Sequence, residues 1–402
     1  MSKRLKGGIT APWGFVAAGI HSGIKQDDQL DLALVASKIP GPMAGVFTKN
    51  TIPAAPVILD RQHLKKGVGQ AIIINSGNAN AFTGPEGLGD ARETVHLIAH
   101  QLAIPKHHVF VGSTGVIGVP LFMPALRKGI PTLVSRLRKT RHREAAQAIM
   151  TTDTCPKTIA LQQPIGGKMV TIGGMAKGSG MIHPDMATML AYFTTDAVID
   201  KNVLQNTLRT VVDQTFNCIS VDGETSTNDT VLCLANGMAG NRTIRPSSSA
   251  QEQFQKLLHE ACHDLAMKIC RDGEGATKLV EIRITEASSH KAARQFAQTL
   301  ATSPLVKTAL FGADPNWGRI IAALGRAGYP LRPDRIMIAF NHLTIVKEGK
   351  GLGPHIEQQV RKIMQRPSLT ISVSLGMGKG IATQWTTDLT YDYVKINASY
   401  RS

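Results

Sequence analysis

Three features are scarce or missing in this chain of 402 residues, and each excludes a class of protein. Cysteine occurs only five times, an odd number, and no C-x-x-C pair is present. A disulfide framework or a zinc ribbon is therefore not expected, and a reducing compartment fits the pattern. No run of eighteen apolar residues suggests a membrane span. The N-terminal MSKRLK lacks the apolar core of a signal peptide, so we expect a cytoplasmic protein.

Aromatic residues are also few, at 5%, and basic residues outnumber acidic ones by 45 to 29, for a net charge of +16. A positive field favours anionic partners, which include nucleic acid, membrane surfaces and carboxylate substrates. The densest basic run, RLRKTRHR at 136–143, could bind phosphate, but such a run is more typical of a solvated helix face. Aromatic residues are not interleaved with it to stack bases. We expect neither a nucleic-acid nor a membrane partner. A basic nucleic-acid-binding protein, whose affinity would fall steeply with salt, is the non-enzyme alternative.

The periodicity of apolar residues predicts an α+β protein large enough for two or more domains. Helical spacing predicts helices near 85–102, 202–213, 254–269, 290–301, 317–327 and 354–364. Short or alternating apolar runs predict strands at 71–74, 109–111, 168–172, 278–285, 335–340 and 368–375, with one more beginning at 188. A boundary near 287–289 would separate a catalytic core of about 1–286 from a smaller α/β domain of about 287–402.

The most unusual stretch is KGSGMIHPDMATML at 177–190. Pro184 fixes its own φ and pushes His183 towards extended geometry, which makes a rigid polar corner. Behind this corner a threonine, Thr188, follows the small residue Ala187. Its hydroxyl can attack the preceding carbonyl, and hydrolysis of the ester leaves Thr188 as a new chain start whose α-amine activates its own hydroxyl. On the residues alone, a threonine that merely opens a buried strand is the commoner case.

Segment 177–190 resembles the self-cleavage segment of the ornithine acetyltransferase family, also called glutamate N-acetyltransferase. Six further blocks resemble the family in family order: GGITAP at 7–12, NSGNAN at 75–80, STGVIG at 113–118, SVDGETSTND at 220–229, GADPNWGR at 312–319 and DYVKINA at 392–398. Each block alone is weak, but together they cover essentially the whole chain. The resemblance implies a layered αββα sandwich like that of N-terminal-nucleophile enzymes. It also implies transfer of an acetyl group from N-acetylornithine to glutamate, a step in arginine biosynthesis.

The resemblance also implies the site. Cleavage between Ala187 and Thr188 would give chains 1–187 and 188–402, which stay associated as a heterotetramer. Thr188 would be the nucleophile, and Thr114 with Gly115 would stabilise the oxyanion. Substrate would be bound by Thr151, Lys177, Thr188, Glu274, Asn397 and Ser402. Two positions depart from the family pattern: Asp185 stands in place of asparagine, which concerns the cleavage rate, and Ser402 stands in place of threonine.

The residues themselves leave simpler alternatives open for most of these positions. Segment 112–115 could be a plain turn, Lys177 a solvated lysine, Glu274 an exposed acid and the tail around Asn397 a frayed end. Thr151 could serve only in turn hydrogen bonding. The polar loop 75–80 could bond its own backbone or line a site.

No metal and no cofactor are expected. Asp222, Glu224 and Asp229 crowd one loop and could bind a divalent cation, but their order lacks the spacing of a calcium loop. A hydrogen-bonded loop beside the active site is the favoured interpretation. Some members of the family also use acetyl-CoA as a donor, and the sequence does not decide this. The alternative function is a self-processing aminopeptidase or amidase that uses the same nucleophile with water as acceptor.

Overall fold

The computed structural model describes residues 2–183 and 189–399. The strands of this part are β1 (Lys3–Arg4), β2 (Phe15–Ile20), β3 (Leu32–Phe47), β4 (Val68–Asn78), β5 (Val109–Val116), β6 (Lys157–Ile165), β7 (Lys168–Lys177), β8 (Leu190–Thr195), β9 (Thr230–Ala235), β10 (Leu279–Ala287), β11 (Met337–Phe340), β12 (Leu343–Lys347), β13 (Lys350–Gly351), β14 (Ser368–Ser374) and β15 (Gly380–Thr387). The helices are α1 (Ala55–Leu64), α2 (Gly84–Leu102), α3 (Met123–Ser135), α4 (His142–Ala148), α5 (Lys201–Gln214), α6 (Ser249–Arg271), α7 (His290–Ala301), α8 (Pro304–Phe311), α9 (Trp317–Gly325), α10 (Pro354–Met364) and α11 (Tyr391–Ser399).

Two β-layers are formed from the first nine strands, and the long strand β3 belongs to both. Its first part pairs with β2 and β4, whereas its end pairs with β9. One layer therefore contains β2, β3, β4 and β5, and the other runs β1-β6-β7-β8-β9-β3. The pairing register of β3 with β4 shifts between Ala36 and Gly41, and β9 becomes the partner of β3 from Met43 onwards.

Helices cover the outer face of each layer, which completes the αββα sandwich. Side chains alternate between the two faces of a strand. In β8, Tyr192 is buried between the two layers, and Phe193 packs outwards in the cluster that contains residues of α5 and α6. In β4, Ile73 points outwards into a cluster with residues of α2 and α3. The predicted α+β class and layered architecture are confirmed.

A second sheet of six strands, in the order β13-β12-β11-β14-β10-β15, forms the other unit. Its own hydrophobic core includes Phe296, Leu324, Ile338 and Val373 from α7, α9, β11 and β14. The sheets divide the chain between β9 and β10, whereas the expected boundary near 287–289 lies at the end of β10. The division into domains stays a prediction.

Most of the predicted elements are confirmed, and one expectation about the surface is wrong. The helices expected near 85–102, 202–213, 254–269, 290–301, 317–327 and 354–364 correspond to α2, α5, α6, α7, α9 and α10. Gly166 and Gly167 form the two-residue hairpin between β6 and β7, and both have positive φ. The basic run 136–143, however, is not a helix face. Most of the run lies in the connection between α3 and α4. There Arg138 exchanges backbone hydrogen bonds with Ala17 of β2, which holds the connection in extended form.

Two further observations concern the whole described part of the chain. None of its helices is long and apolar enough to cross a membrane. All five cysteines are free thiols.

Candidate active site

Six of the predicted site residues line one cavity of about 70 Å³. They are Thr114, Gly115, Thr151, Lys177, Glu274 and Asn397. They come from β5, the segment before β6, the end of β7, the loop after α6, and α11. Residues far apart in sequence thus meet where the two β-layers adjoin the C-terminal helix. Ala187, Thr188 and Ser402 lie outside the described residues.

The oxyanion pair predicted at Thr114 and Gly115 lies near the end of β5, which pairs in parallel with β4. Thr114 is 6% exposed, so its hydroxyl faces the cavity and not bulk water. Gly115 has φ +130°, and a Cβ there would lie 2.4 Å from the carbonyl carbon of Gly77. Only glycine therefore lets the backbone of residue 115 pack this closely against β4. The same lack of a side chain leaves the Gly115 N–H accessible as a donor near the end of β5.

Lys177 ends β7, and its amine lies next to the Thr114 hydroxyl. Nζ donates to Oγ1 of Thr114 at 3.2 Å. Because the lysine occupies an acceptor site of that oxygen, the hydroxyl keeps its own hydrogen free to donate. Burial lowers the pKa of Lys177, although the negative charge of Asp153 opposes the shift. The lysine is 4% exposed, which rules out the solvated-lysine alternative.

A buried ion network beneath the cavity holds this lysine's surroundings in place. Lys157 pairs with Asp153 and Asp272, and its side chain is fully buried. Asp153 also accepts the backbone N–H groups of Gly178 at 2.8 Å and Thr151 at 3.1 Å. Burial alone would raise the pKa of Asp153, but the charges of Lys177 and Lys157 hold it below its usual value. The network therefore connects two of the predicted substrate-binding segments.

Glu274 also lines the cavity and is 8% exposed, and its carboxylate lies close to the backbone of Gly180. Its Oε2 accepts Nδ2 of Asn397 at 2.8 Å, which ties α11 to the cavity. Gly180 faces the carboxylate, and a Cβ there would lie 2.3 Å from Oε2. The Glu274 amide donates to the carbonyl of Ser179 at 3.1 Å. Glu274 is thus enclosed by residues 179–180 and by α11, and it does not sit on the surface.

The acidic loop 220–229 accepts hydrogen bonds from the backbone of Met181, Ile182 and Met189, which lie in the described parts of segment 177–190. Asp222 accepts the N–H groups of Met181 at 2.6 Å and Ile182 at 2.8 Å. Met181 has φ +58°, an uncommon conformation for a side-chain-bearing residue, which these bonds help to hold. Asp229 lies apart and accepts the N–H of Met189 at 3.2 Å. In the described part of the chain no three metal-ligating side chains form a cluster that could hold an ion.

Several residues of the cavity wall were not predicted from the sequence. One of them, Asn228, connects two segments of the wall through its side chain. Its Nδ2 donates to the carbonyl oxygens of Ala79 at 2.6 Å and Ser113 at 2.8 Å. One amide thus joins the loop after β4 to the residue before Thr114. Asn228 lies in the block 220–229, which the sequence predicts to be a hydrogen-bonded loop beside the active site without singling out this residue. Ser226 and Met181 also line the cavity.

Segment 75–80 is a loop only after Asn78, because its first four residues belong to β4, and it serves both of the purposes that the sequence left open. Asn75 donates through Nδ2 to the carbonyl of Asn78 at 2.8 Å, and Asn80 donates likewise to the carbonyl of Gly87 at 2.9 Å. Ala79, in the same loop, lines the cavity. The hydrogen bonds of Asn75 and Asn80 therefore fix the backbone of this segment, and Ala79 within it forms part of the cavity wall.

Comparison with known proteins identifies relatives along nearly the whole chain. The model of the ArgJ family matches residues 16–402. The arginine biosynthesis bifunctional protein ArgJ of Symbiobacterium thermophilum is 48% identical over 400 residues, 99% of either chain. That of Geobacter sulfurreducens is 46% identical over 389 residues, 97% of this chain and 99% of its own. A crystal structure of ornithine acetyltransferase complexed with ornithine from Mycobacterium tuberculosis is 41% identical, covers 46% of this chain and 98% of its own, and has a TM-score of 0.43.

Proposed function

The chain belongs to the ArgJ family, and from this premise we propose how its residues carry out acetyl transfer in arginine biosynthesis. The protein is an acetyltransferase that moves an acetyl group from N-acetylornithine to glutamate. One observation supports the assignment of residues above all others: Thr114, Lys177 and Glu274, predicted from three separate segments, line one cavity.

In the first half of the reaction, the Oγ of Thr188 attacks the acetyl carbonyl of N-acetylornithine, and the α-amine freed by self-cleavage takes the hydroxyl proton. The Thr114 hydroxyl and the Gly115 N–H donate to the oxyanion of the tetrahedral intermediate. Collapse of the intermediate breaks the C–N bond, and ornithine leaves with the transferred proton. An acetyl ester on Thr188 results.

In the second half, the amine of glutamate attacks this ester through the same oxyanion site. The α-amine of Thr188 takes a proton from the attacking amine and passes it to Oγ as the C–O bond breaks, so that N-acetylglutamate leaves and the Thr188 hydroxyl is restored. The two amino acids occupy the cavity in turn, which makes the kinetics ping-pong. Lys177 would receive the α-carboxylate that both substrates carry, and Glu274 would receive the side-chain amine of ornithine. Thr151, Asn397 and Ser402 complete the substrate contacts of the proposal.

The deciding experiment follows the fate of a labelled acetyl group. Purified enzyme with acetyl-labelled N-acetylornithine and glutamate should give labelled N-acetylglutamate, and little label should appear in acetate. An aminopeptidase or amidase would release acetate at a rate independent of glutamate. Acetate as the main product at saturating glutamate would therefore contradict acetyl transfer and show that the enzyme is a hydrolase. Labelled acetyl-CoA in place of N-acetylornithine tests whether the enzyme also accepts this second donor. Acetyl transfer from acetyl-CoA would be an additional activity of the same site.

The assembly and compartment are part of the same proposal. We place the enzyme in the cytoplasm, as two copies each of chains 1–187 and 188–402. Strand β8, just after the cleavage point, pairs with β7 of the first chain on one side and β9 on the other. Cutting between two hydrogen-bonded strands leaves the sheet intact, so the chains stay together without a covalent link.

Lys177→Met is expected to raise KM for both substrates by roughly tenfold or more, the value of a lost charge-assisted hydrogen bond. It should also lower kcat, because Nζ orients the Thr114 hydroxyl at 3.2 Å. Steady-state kinetics with each substrate varied in turn measure both effects. Replacing Arg138, Lys139 and Arg141 together is the control and should leave KM unchanged. The reverse pattern, with the triple variant inactive and Lys177→Met normal, would show that the wrong positive charge was assigned.

Exhaustive EDTA treatment is expected to leave the rate of acetyl transfer unchanged. In the proposed mechanism the Thr188 amine and the Thr114–Gly115 pair supply the base and the oxyanion donors, so no step calls for a Lewis acid. The initial rate before and after chelation and desalting measures this. Loss of activity that one added cation restores would contradict it.

A further inference from the structure

Lys25 lies in the loop between β2 and β3, and neither the sequence nor the reaction above gives it a role. Its Nζ donates to the carbonyl oxygens of Leu30 at 3.2 Å and Met150 at 2.8 Å. The first bond closes its own loop. The second reaches the residue before Thr151, which lines the cavity and contacts substrate in the proposed function. Lys25 therefore joins a distant loop to the substrate-binding wall.

The backbone of the loop that carries Lys25 is held in place by one fully buried carboxylate, Asp31. This carboxylate accepts the backbone N–H groups of four successive residues, which are Ser22 at 2.7 Å, Gly23 at 3.0 Å, Ile24 at 2.8 Å and Lys25 at 3.1 Å. The carbonyl of Asp31 in turn accepts the N–H of Ser76 in β4 at 2.8 Å. Lys25 thus has a fixed base from which its amine can position another segment.

The stem of Lys25 passes close to the strand that supports the oxyanion pair. Gly77 of β4 has φ +95°, and a Cβ there would lie 3.0 Å from Cγ of Lys25. Gly77 is also the residue against which the backbone of Gly115 packs. Gly77 therefore lies next to both the Lys25 stem and the oxyanion glycine. The methylene groups of Lys25 and its amine contact different parts of the site.

The charge of Lys25 belongs to the same electrostatic surroundings as the ion network beneath the cavity. Burial lowers the pKa of Lys25, the negative charges of Asp27, Asp31 and Asp153 oppose this shift, and the positive charge of Lys177 adds to it. A hydrogen bond from a charged amine is stronger than one between neutral groups. The bond to the Met150 carbonyl is therefore a firm attachment.

Segment 150–153 is held at both of its ends by lysines. Lys25 donates to the carbonyl of Met150, and Lys157 donates to the carboxylate of Asp153 at 2.6 Å. Between these two points, the N–H of Thr151 donates to Asp153 at 3.1 Å. The position of Thr151 in the cavity wall depends on both attachments.

We propose that Lys25 is a positioning residue for substrate binding, which holds the carbonyl of Met150 and so places Thr151 against the amino-acid substrate. The proposal rests on the proposed function, in which Thr151 contacts both substrates in turn. Lys25 is not among the described residues that line the cavity, so its effect passes through Met150. The oxyanion pair belongs to β5, and Lys25 therefore affects KM more than kcat.

The first test is Lys25→Met, which keeps a stem beside Gly77 and removes the amine. KM for both N-acetylornithine and glutamate should rise roughly threefold to tenfold, with kcat within about twofold of the wild type. Self-cleavage should proceed as in the wild type on denaturing electrophoresis. The Ser76 hydroxyl still donates to the carbonyl of Ala148 at 2.7 Å, so the end of α4 stays attached. Lys25→Arg restores charged donors and should return KM to within about twofold of the wild type.

A double-mutant cycle tests whether Lys25 acts through Thr151. Thr151→Val removes the hydroxyl, keeps the shape of the side chain and should raise KM by itself. In this background Lys25→Met should raise KM no further, because the contact that the lysine positions is already lost. Two effects on KM that simply multiply would place the action of Lys25 elsewhere and overturn the proposal.

Lys278→Met is the matched control. Lys278 is also part-buried with a lowered pKa, and its Nζ donates to two backbone carbonyls, those of Leu310 and Phe311 at the end of α8. Thermal unfolding should show similar losses of stability for the two methionine variants, but Lys278→Met should leave both KM values unchanged. An equal rise in KM for the control would show a general loosening of the fold and would overturn the specific role of Lys25.

The remaining outcomes separate this proposal from the proposed function. Unchanged KM in Lys25→Met, together with a raised KM in Thr151→Val, would overturn the role of Lys25 alone. Unchanged KM in Thr151→Val would contradict the substrate contact in the proposed function. If Lys25→Met does not fold, Lys25→Gln replaces it, since the amide keeps one neutral donor and should raise KM by roughly twofold to threefold. Wild-type KM values in a folded Lys25→Gln enzyme would then overturn the proposal.

Discussion

A chain with Thr188 replaced by alanine is expected to stay in one piece and to transfer no acetyl group. Both outcomes have one cause, since the same hydroxyl attacks the peptide bond and carries the acetyl group in the proposal. Loss of a nucleophile that acts in every turnover costs roughly 10⁴-fold or more in rate. Denaturing electrophoresis should show a single chain of 402 residues, against two fragments for the wild type.

Two controls separate the nucleophile from the fold. Thr188→Ser keeps a hydroxyl and should cut itself and retain part of the activity. N-terminal sequencing of the second wild-type fragment should read Thr-Met-Leu-Ala, which identifies the bond. An uncut wild-type chain with full activity would show that self-cleavage plays no part in catalysis.

Thr114→Ala is expected to lower kcat by roughly 10²–10³, the usual loss for one oxyanion donor. The structure gives a reason for this hydroxyl to be a donor: Lys177 donates to its oxygen at 3.2 Å, which leaves its hydrogen for the substrate. Because the ground-state carbonyl needs this bond less than the oxyanion does, KM should change little. Steady-state kinetics measure the split between kcat and KM.

Thr114→Ser is the control, because it keeps the hydroxyl and removes only a methyl group. It should retain most of the wild-type kcat. Thermal unfolding of both variants should show folded proteins, since Thr114 lines a cavity and is not packed in one of the main cores. An alanine variant with unchanged kcat would remove Thr114 from the mechanism.

Regular periodicity made much of the fold predictable. In α6, Phe254, Leu257, Leu258, Ala261 and Leu265 are spaced for one face, and all are buried. β3 escaped prediction because Pro40 and Pro42 interrupt its pattern, although the strand runs through them from one layer to the other. Pairing with β4 up to Pro42 and with β9 from Met43 onwards stabilises this path, and such partners are not visible in local sequence.

The site shows the same division between local pattern and tertiary contact. The family resemblance predicted Thr114, Lys177 and Glu274, which meet in one cavity. It did not reveal what orients them. The buried pairing of Lys157 with Asp153 joins residues that read as an ordinary turn and strand. Asn228 joins two loops through backbone carbonyls, which carry no sequence signature.

The central claim, that the acetyl group passes through Thr188, is tested most directly by the mass of the second chain during half of the reaction. The enzyme is incubated with N-acetylornithine in the absence of glutamate, quenched in acid and digested. The peptide that begins Thr-Met-Leu-Ala should gain the mass of one acetyl group and lose it again when glutamate is added before quenching. An unmodified Thr188 peptide under conditions in which ornithine is released, or an acetyl group on another residue, would contradict the account.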